Sequence, residues 1–432
     1  MRETTSKIKT VPVASRVLPD GRLVELIYSN DRQATTLVVG AGEDIEIAST
    51  LDAEGDQQWV PVPATNNLIQ HGVVVLPERP EFYKSVEALV SEIHEFIDRY
   101  LDLSPSFRAV AVHYILLTWV YDAFGELPYL RLRGDFGSGK TRALTVLGSL
   151  CNKGFFASGA STVSPIFYTL DLFRGTLILD EADFRFSDEN AEIVKILNNG
   201  NVRGFPVLRQ SMTPNREFNP RAFNVFGPKI IAMRHGFEDP ALESRCITET
   251  MGHRPLRPDI PLNLPEQVFD EAKAIRNKLL MYRFQVLPTL RVDQTMIDAE
   301  QQARTNQILL PLLAVIPDSA TREVVRQFVE GNQSELKVER SVSPEGMLLE
   351  VLLERLRNTP RTTVAVSEIT LSLIESFGRE FDRPLTPRYV GELLRKRLHI
   401  PTFKSHGVFV VPTSVRSQVE VLARRAGIDA ED

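Results

Sequence analysis

Apolar runs separated by polar turn clusters open the chain. LVELIYS from Leu23, ATTLVVG from Ala34, QWVPV from Gln58 and GVVVLP from Gly72 are spaced by clusters such as SNDRQ and DAEGDQ. β-branched segments of this length between turn residues predict strands, so residues 1–80 are expected to form a small β-rich N-terminal domain, a sheet or barrel. From Glu81 the apolar positions recur at helical spacing. Ser104-Pro105 supplies an N-cap and a first-turn proline for the apolar helix FRAVAVHYILLTWVYDAF, which makes residues 81–128 a helical lead-in. Its His113, Trp119 and Tyr121 read as core, with adenine stacking by one of them as the alternative.

The pattern then alternates between short β runs and helical spacing. YLRLR (129–133), the helix TRALTVLGSLC, GFFAS (154–158), the helix SPIFYTLDLF and the strand TLILDE follow in turn, with KIIAM (229–233) further on. Strand and helix repeating at this spacing predict an α/β core over residues 129–254, a parallel sheet with helices on both faces. A helical, proline-punctuated stretch starts at Pro255, and the polar linker EGNQSELKVERSVSPEG precedes the last unit. There EGMLLEVLLERLRN, RTTVAVS, EITLSLIESFGREF, TPRYVGELLRKRL and the pair IPTFK and VFVVP around SHG predict three helices followed by a β-hairpin. Residues 343–432 therefore read as a winged-helix domain, with Thr386 capping the third helix.

With 432 residues the chain is long enough for two to four domains. No apolar run is long enough to cross a bilayer, and the N-terminus carries no secretory h-region. Two cysteines, Cys151 and Cys246, cannot build a disulfide framework, and their scarcity suits a reducing compartment. No membrane partner and a cytoplasmic location are the expectation. A net charge of −6 argues against a surface coated in nucleic acid. The segment 386–425 is nevertheless basic, with Arg388, Arg395, Lys396, Arg397, Lys404, Arg416, Arg424 and Arg425 against Glu392 and Glu420.

Three short motifs bring candidate chemistry. Gly134-Asp135-Phe136-Gly137-Ser138-Gly139-Lys140-Thr141 fits G-x-x-x-x-G-K-[ST] between a strand and a helix, as a phosphate loop requires. Its glycines let backbone N–H groups approach phosphates, Lys140 reaches the β- and γ-phosphates, and Thr141 ligates magnesium. LILDEAD ends an apolar strand in Asp180-Glu181, where Asp180 holds the magnesium shell and Glu181 orients the attacking water. DPALESRC places Arg245 just after KIIAM. An arginine there either projects into a neighbouring subunit as an arginine finger or pairs on its own surface.

The succession Gly134–Thr141, LILDEAD, ILNNGNVRG (196–204), FGPKIIA and DPALESRC resembles the motifs of AAA+ ATPases of the helicase superfamily. It is similar to bacterial mobile-element and phage ATPases related to the minichromosome maintenance and superfamily 3 helicases. The resemblance covers roughly residues 104–318 and implies ATP as the nucleotide, magnesium, and a homo-oligomeric, hexameric ring on DNA. It also implies a helical lid over residues 255–335, in which ARTNQILLPLLAVIPD carries a sensor-2 arginine, Arg304. Arg234-His235 stand where minichromosome maintenance helicases carry an asparagine.

In such ATPases the interval between LILDEAD and KIIAM contains a hairpin that points into the ring channel. Here it carries Arg203, Arg209, Arg216 and Arg221 with Phe205, Phe218 and Phe223 interleaved, a composition suited to single-stranded DNA or, alternatively, to a surface loop. Arg388, Arg395, Lys396, Arg397 and Lys404 are the candidates for duplex contact, a docking role being the alternative. An ATP-hydrolysing DNA motor leads, an ATP-switched initiator or regulator is the alternative, and Glu181, Arg245 and the winged helix together disfavour a small-molecule kinase.

Overall fold

The computed structural model describes residues 9–53, 57–182, 188–210, 219–237, 239–253, 255–299, 301–381 and 383–428, with 188–191 by backbone alone. Residues 1–329 cluster as one compact unit and 330–432 as a second.

The first unit begins with strands β1 (Lys9–Val13), β2 (Ser15–Val17), β3 (Leu23–Ser29), β4 (Ala34–Ala41), β5 (Asp44–Ala48), β6 (Leu51–Asp52) and β7 (Gln57–Pro61). They form an antiparallel sheet in the order β2-β3-β4-β5 and a smaller sheet β1-β7-β6. GVVVLP, expected as a strand, makes only an isolated bridge from Val74 to Phe155. Its apolar side chains fill the core beside the central sheet instead, where Val74 and Leu76 are buried. Helices α1 (Asn67–Gln70), α2 (Val86–Tyr100) and α3 (Pro105–Val120) follow. Ser104 caps α3, its Oγ accepting from Phe107 N and donating to Glu249. Trp119, Tyr121 and His113 are buried.

The central sheet is built from β8 (Tyr129–Arg133), β9 (Phe155–Ser158), β10 (Leu177–Asp180), β13 (Lys229–Met233) and β14 (Cys246–Thr250). All neighbouring pairs are parallel, in the order β14-β8-β13-β10-β9. Alternate residues enter two cores. Leu130, Leu132, Ile178, Ile230 and Ile247 face α3 and α4 (Lys140–Gly148). Tyr129, Leu177, Leu179, Ile231 and Cys246 face α5 (Val163–Phe173) and α6 (Asp188–Asn199). This is an α/β core of the phosphate-loop type, covered on both faces. A short hairpin, β11 (Val207–Arg209) with β12 (Arg221–Phe223), and the turn of helix α7 (Pro240–Glu243) complete it.

The β-rich segment is joined to this core by buried charge. Glu25 of β3 accepts from Ser15 Oγ (2.6 Å), Lys153 Nζ (2.5 Å) and Arg283 Nε (2.7 Å). Arg283 belongs to α8 (Gln267–Val286) and also donates to both oxygens of Asp122, at 2.8 and 2.7 Å. Each cation therefore meets a carboxylate, without which such burial would be prohibitive. Helices α9 (Ala303–Leu313) and α10 (Ser319–Ser341) end the helical stretch. The expected polar linker is helical as far as Ser341: its glutamates, lysine and arginine are good helix formers, and Leu336 is buried.

The second unit contains α11 (Pro344–Asn358), β15 (Thr363–Ala365), α12 (Val366–Phe377), α13 (Pro387–Glu392), β16 (Phe403–Ser405), β17 (Val408–Pro412) and α14 (Arg416–Arg425). α13 continues as a π-type turn through Arg397, and the strands pair antiparallel in the order β15-β17-β16. Val419 and Ala423 of α14 join its core. No helix among the described residues is long and apolar enough to cross a membrane.

Candidate functional site

The phosphate-loop pattern sits at the C-terminal end of β8 and runs into α4. Gly137 and Gly139 adopt φ of +78° and +87°, which a side chain would strain. Lys140 Nζ donates to Gly134 O at 2.5 Å, Asp135 O at 2.7 Å and Ser138 Oγ at 3.3 Å, so the ammonium is centred within the loop. Phe136 at its tip is 91% exposed.

Thr141 Oγ1, on the first turn of α4, donates to Asp180 Oδ2 at 2.7 Å. Residues 39 positions apart in sequence thus meet at one end of the sheet. The other oxygen, Asp180 Oδ1, accepts from Glu181 N at 2.9 Å. Glu181 is exposed and left-handed, with φ +54°, a conformation that costs a non-glycine residue about 1–2 kcal/mol. Strain of this kind gathers at working positions. Gly159, beyond the neighbouring strand β9, admits the turn: a Cβ there would lie 2.6 Å from Glu181 O. Since β13 lies between β8 and β10, Arg234 and His235 leave the sheet between the loop and these acids.

Arg245 and Arg304 stand at the opposite end. Tyr129 N, at the start of β8, donates to Arg245 O at 2.9 Å, and the five residues of β8 separate that point from Gly134, about 16 Å of strand. Arg245 Nη1 donates to Asn198 O at 3.2 Å and to Asn198 Oδ1; Asn198 Nδ2 donates to Asp239 Oδ2 at 2.7 Å. Glu243 serves Arg131 and Phe237 N, so it is not the partner of Arg245. Arg304, on α9, lies 3.7 Å from Glu126 just ahead of β8. Burial, and then the charge of Arg304, lower the pKa of Arg245. Two guanidiniums thus share one region, Arg304 near Glu126 and Arg245 within the field of Asp239, and neither stands beside the phosphate loop of its own chain.

The hairpin cations have partners that sequence spacing could not reveal. Arg209 Nη2 donates to Glu192 Oε2 at 2.9 Å, and its guanidinium lies 4.9 Å above the Phe167 ring. Arg221 donates to Asp171 at 3.4 Å and covers Phe223 and Tyr168. Half-exposed pairs of this sort are worth about 0–1 kcal/mol. Arg203 is placed differently: it donates to Asp122 O at 2.5 Å and Phe124 O at 3.1 Å, which ties the loop ahead of β8. Phe223 is buried whereas Phe205 is exposed; Arg216 and Phe218 lie outside the described residues.

In the second unit Arg388 and Lys396 reach Glu392 at 4.0 and 3.8 Å, and Arg397 reaches Glu345 at 4.0 Å. Arg395 donates to Thr402 Oγ1 at 3.0 Å and stacks over Phe409, which pairs with Lys404 across the hairpin.

Fold and site define an α/β core of the phosphate-loop class. The chain matches no protein-family model and no curated protein. Among solved structures it is similar to an apo A form of the NrS-1 C-terminal region, at 11% identity over 90% of this chain and 96% of that one, TM-score 0.36. It is also similar to JCV helicase with a bound acetamide compound, at 15% identity over 58% and 62%, TM-score 0.24. Drosophila ORC bound to DNA aligns at 11% identity over 81% and 95%, TM-score 0.19.

Proposed function

We propose that the chain is an ATP-hydrolysing, helicase-like AAA+ motor that acts on DNA as a ring of identical subunits. The observation that carries the reading is the contact between Thr141 Oγ1 and Asp180 Oδ2 with Glu181 next in the chain. A hydroxyl and a carboxylate 2.7 Å apart are hard oxygen donors that suit magnesium, which would neutralise phosphate charge there. Lys140 and the N–H groups of the loop would hold the triphosphate, with Gly134, Asp135, Phe136, Gly137, Ser138 and Gly139 shaping the cradle. Glu181 orients a water and accepts its proton as the oxygen bonds to the γ-phosphorus and the bond to the leaving diphosphate breaks.

Arg245 and Arg304 are too far along the sheet to serve the same nucleotide, and they are assigned to the site of the adjacent subunit. Residues 255–335 are read as the lid. The hairpin carrying Arg209, Arg221 and Arg216 is read as the grip on a single strand, and Arg203 as its anchor. Residues 343–432 are read as a winged helix whose Arg388, Arg395, Lys396, Arg397 and Lys404 meet duplex DNA. The function served is replication of a mobile element or phage.

The test separates binding from turnover. Lys140→Ala is expected to lose ATP binding, while Glu181→Gln keeps it and loses hydrolysis. Near-normal turnover in Glu181→Gln removes the assignment. Single-stranded DNA is expected to speed hydrolysis; slow turnover indifferent to DNA would favour the ATP-switched initiator.

A further inference from the structure

The segment Asn198 to Asn201 has no part in the chemistry above, yet it gathers the end of the sheet where Arg245 stands. Gly200 O accepts from Gly227 N at 3.1 Å and from Lys229 Nζ at 3.1 Å, and Asn201 O accepts from Leu127 N at 2.9 Å. The starts of β8 and β13 are therefore fixed to the C-terminal end of α6. Asn198 stands on that base. Its side-chain oxygen and its backbone oxygen both accept from Arg245 Nη1, and its amide N–H donates to Asp239. Asp239 in turn caps α7, accepting from Ala241 N at 2.9 Å, and α7 leads directly to Arg245. The ring of hydrogen bonds is closed: one amide holds both the guanidinium and the turn from which its chain departs.

The chemistry of the amide matters as much as its place. A carboxylate at 198 would pair directly with Arg245 and face Asp239, whereas an amide gives the guanidinium an acceptor without adding charge, Asp239 acting on it from beyond the amide. Arg245 Nε is buried with no hydrogen-bond partner among the described residues, so Nη1 holds the guanidinium and no bidentate ion pair locks it. We infer that Asn198 is the positioning residue for Arg245, holding its guanidinium at this end of the sheet by neutral acceptors rather than by a direct ion pair. The inference rests on the reading of Arg245 as an arginine finger.

The experiment measures single-turnover ATP hydrolysis and ATP affinity in the full chain for Asn198→Ala, the isosteric Asn198→Asp, Arg245→Ala and the two double variants. High enzyme concentration keeps the slow variants readable. Each Asn198 variant is expected to lose about 10²-fold in rate, the scale of a misplaced reacting group. ATP affinity should stay as in the wild type, and neither change should slow Arg245→Ala further. A further loss in the double variants, or wild-type rates in the Asn198 variants, overturns the positioning role while the finger stands. Wild-type rates in Arg245→Ala overturn the finger itself and the inference with it. If Asn198→Ala does not fold, Asn198→Asp carries the comparison, since it preserves the side-chain volume.

Discussion

Lys229 shows how much one residue can hold. It is fully buried, and its Nζ donates to Gly200 O, Val225 O and Gly227 O at 2.9–3.1 Å while lying 4.8 Å from the Tyr129 ring centroid. Three acceptors require three N–H groups, which only the ammonium has. Burial works against that charge and pushes the pKa down to about 7. The folded value therefore lies below the unfolded one, so the unfolded chain binds more protons between about pH 7 and 10.4 and stability rises through that window. Relative to Lys229→Met, the wild type should gain in chemical-denaturation stability as pH rises from about 7 to about 10; a difference that shrinks would contradict the assignment. The loop around Lys140 and the meeting of Thr141 with Asp180 were legible because both follow from motifs of fixed local spacing at strand ends. The partners of Arg245, Arg209 and Arg203 were not, because Asn198, Glu192 and Asp122 arrive from other elements, and no spacing encodes which neutral or acidic group will meet a given arginine.

At the scale of elements, α6 touches more of the proposed mechanism than any pattern in its sequence suggests. Glu192 holds Arg209 of the hairpin and Asn198 holds Arg245, six residues apart on one helix. If the hairpin grips a strand, Arg209→Ala should remove much of the stimulation of hydrolysis by single-stranded DNA and flatten the salt dependence of binding. The expected change is about 0.7 in log-log slope for each phosphate that is no longer neutralised. Binding titrations from low to moderate salt check it, and an unchanged slope returns the hairpin to an ordinary surface element. Four of the five strands of the central sheet were legible because apolar runs between helices leave few other choices; β14 was not, because polar residues interrupt its short run CITET. Other elements were misread or passed over. GVVVLP reads as a strand but finds only one bridge, the polar stretch before Ser341 reads as a linker but is helical, and α14 hides in a basic segment with little apolar content.

For the whole molecule, the sequence pattern divides into five segments, whereas the fold gathers the chain into two units. Composition shifts at residues 80 and 128 are real, but they do not show that Glu25, Asp122, Lys153 and Arg283 will share one buried site. Glu25→Gln removes the carboxylate that faces both Lys153 and Arg283, and should destabilise the chain by about 3–5 kcal/mol in denaturant unfolding. A loss below about 1 kcal/mol would mean that the pairing carries little. In the second unit, replacing Arg388, Lys396 and Arg397 together by serine in the full chain should weaken duplex binding and reduce its salt slope by about 0.9 for each phosphate released from a cation. Unaltered duplex binding would favour a docking role. The buried quartet also bears on ancestry. A chain assembled from exchangeable cassettes needs seams where few partners cross, whereas here Glu25 of the β-rich segment is the carboxylate bonded to Lys153 and one of two bonded to Arg283, the other being Asp122. The β-rich segment and the α/β core are therefore expected to change in step, so a relative that lacks Glu25 should have lost the charge at 153 as well.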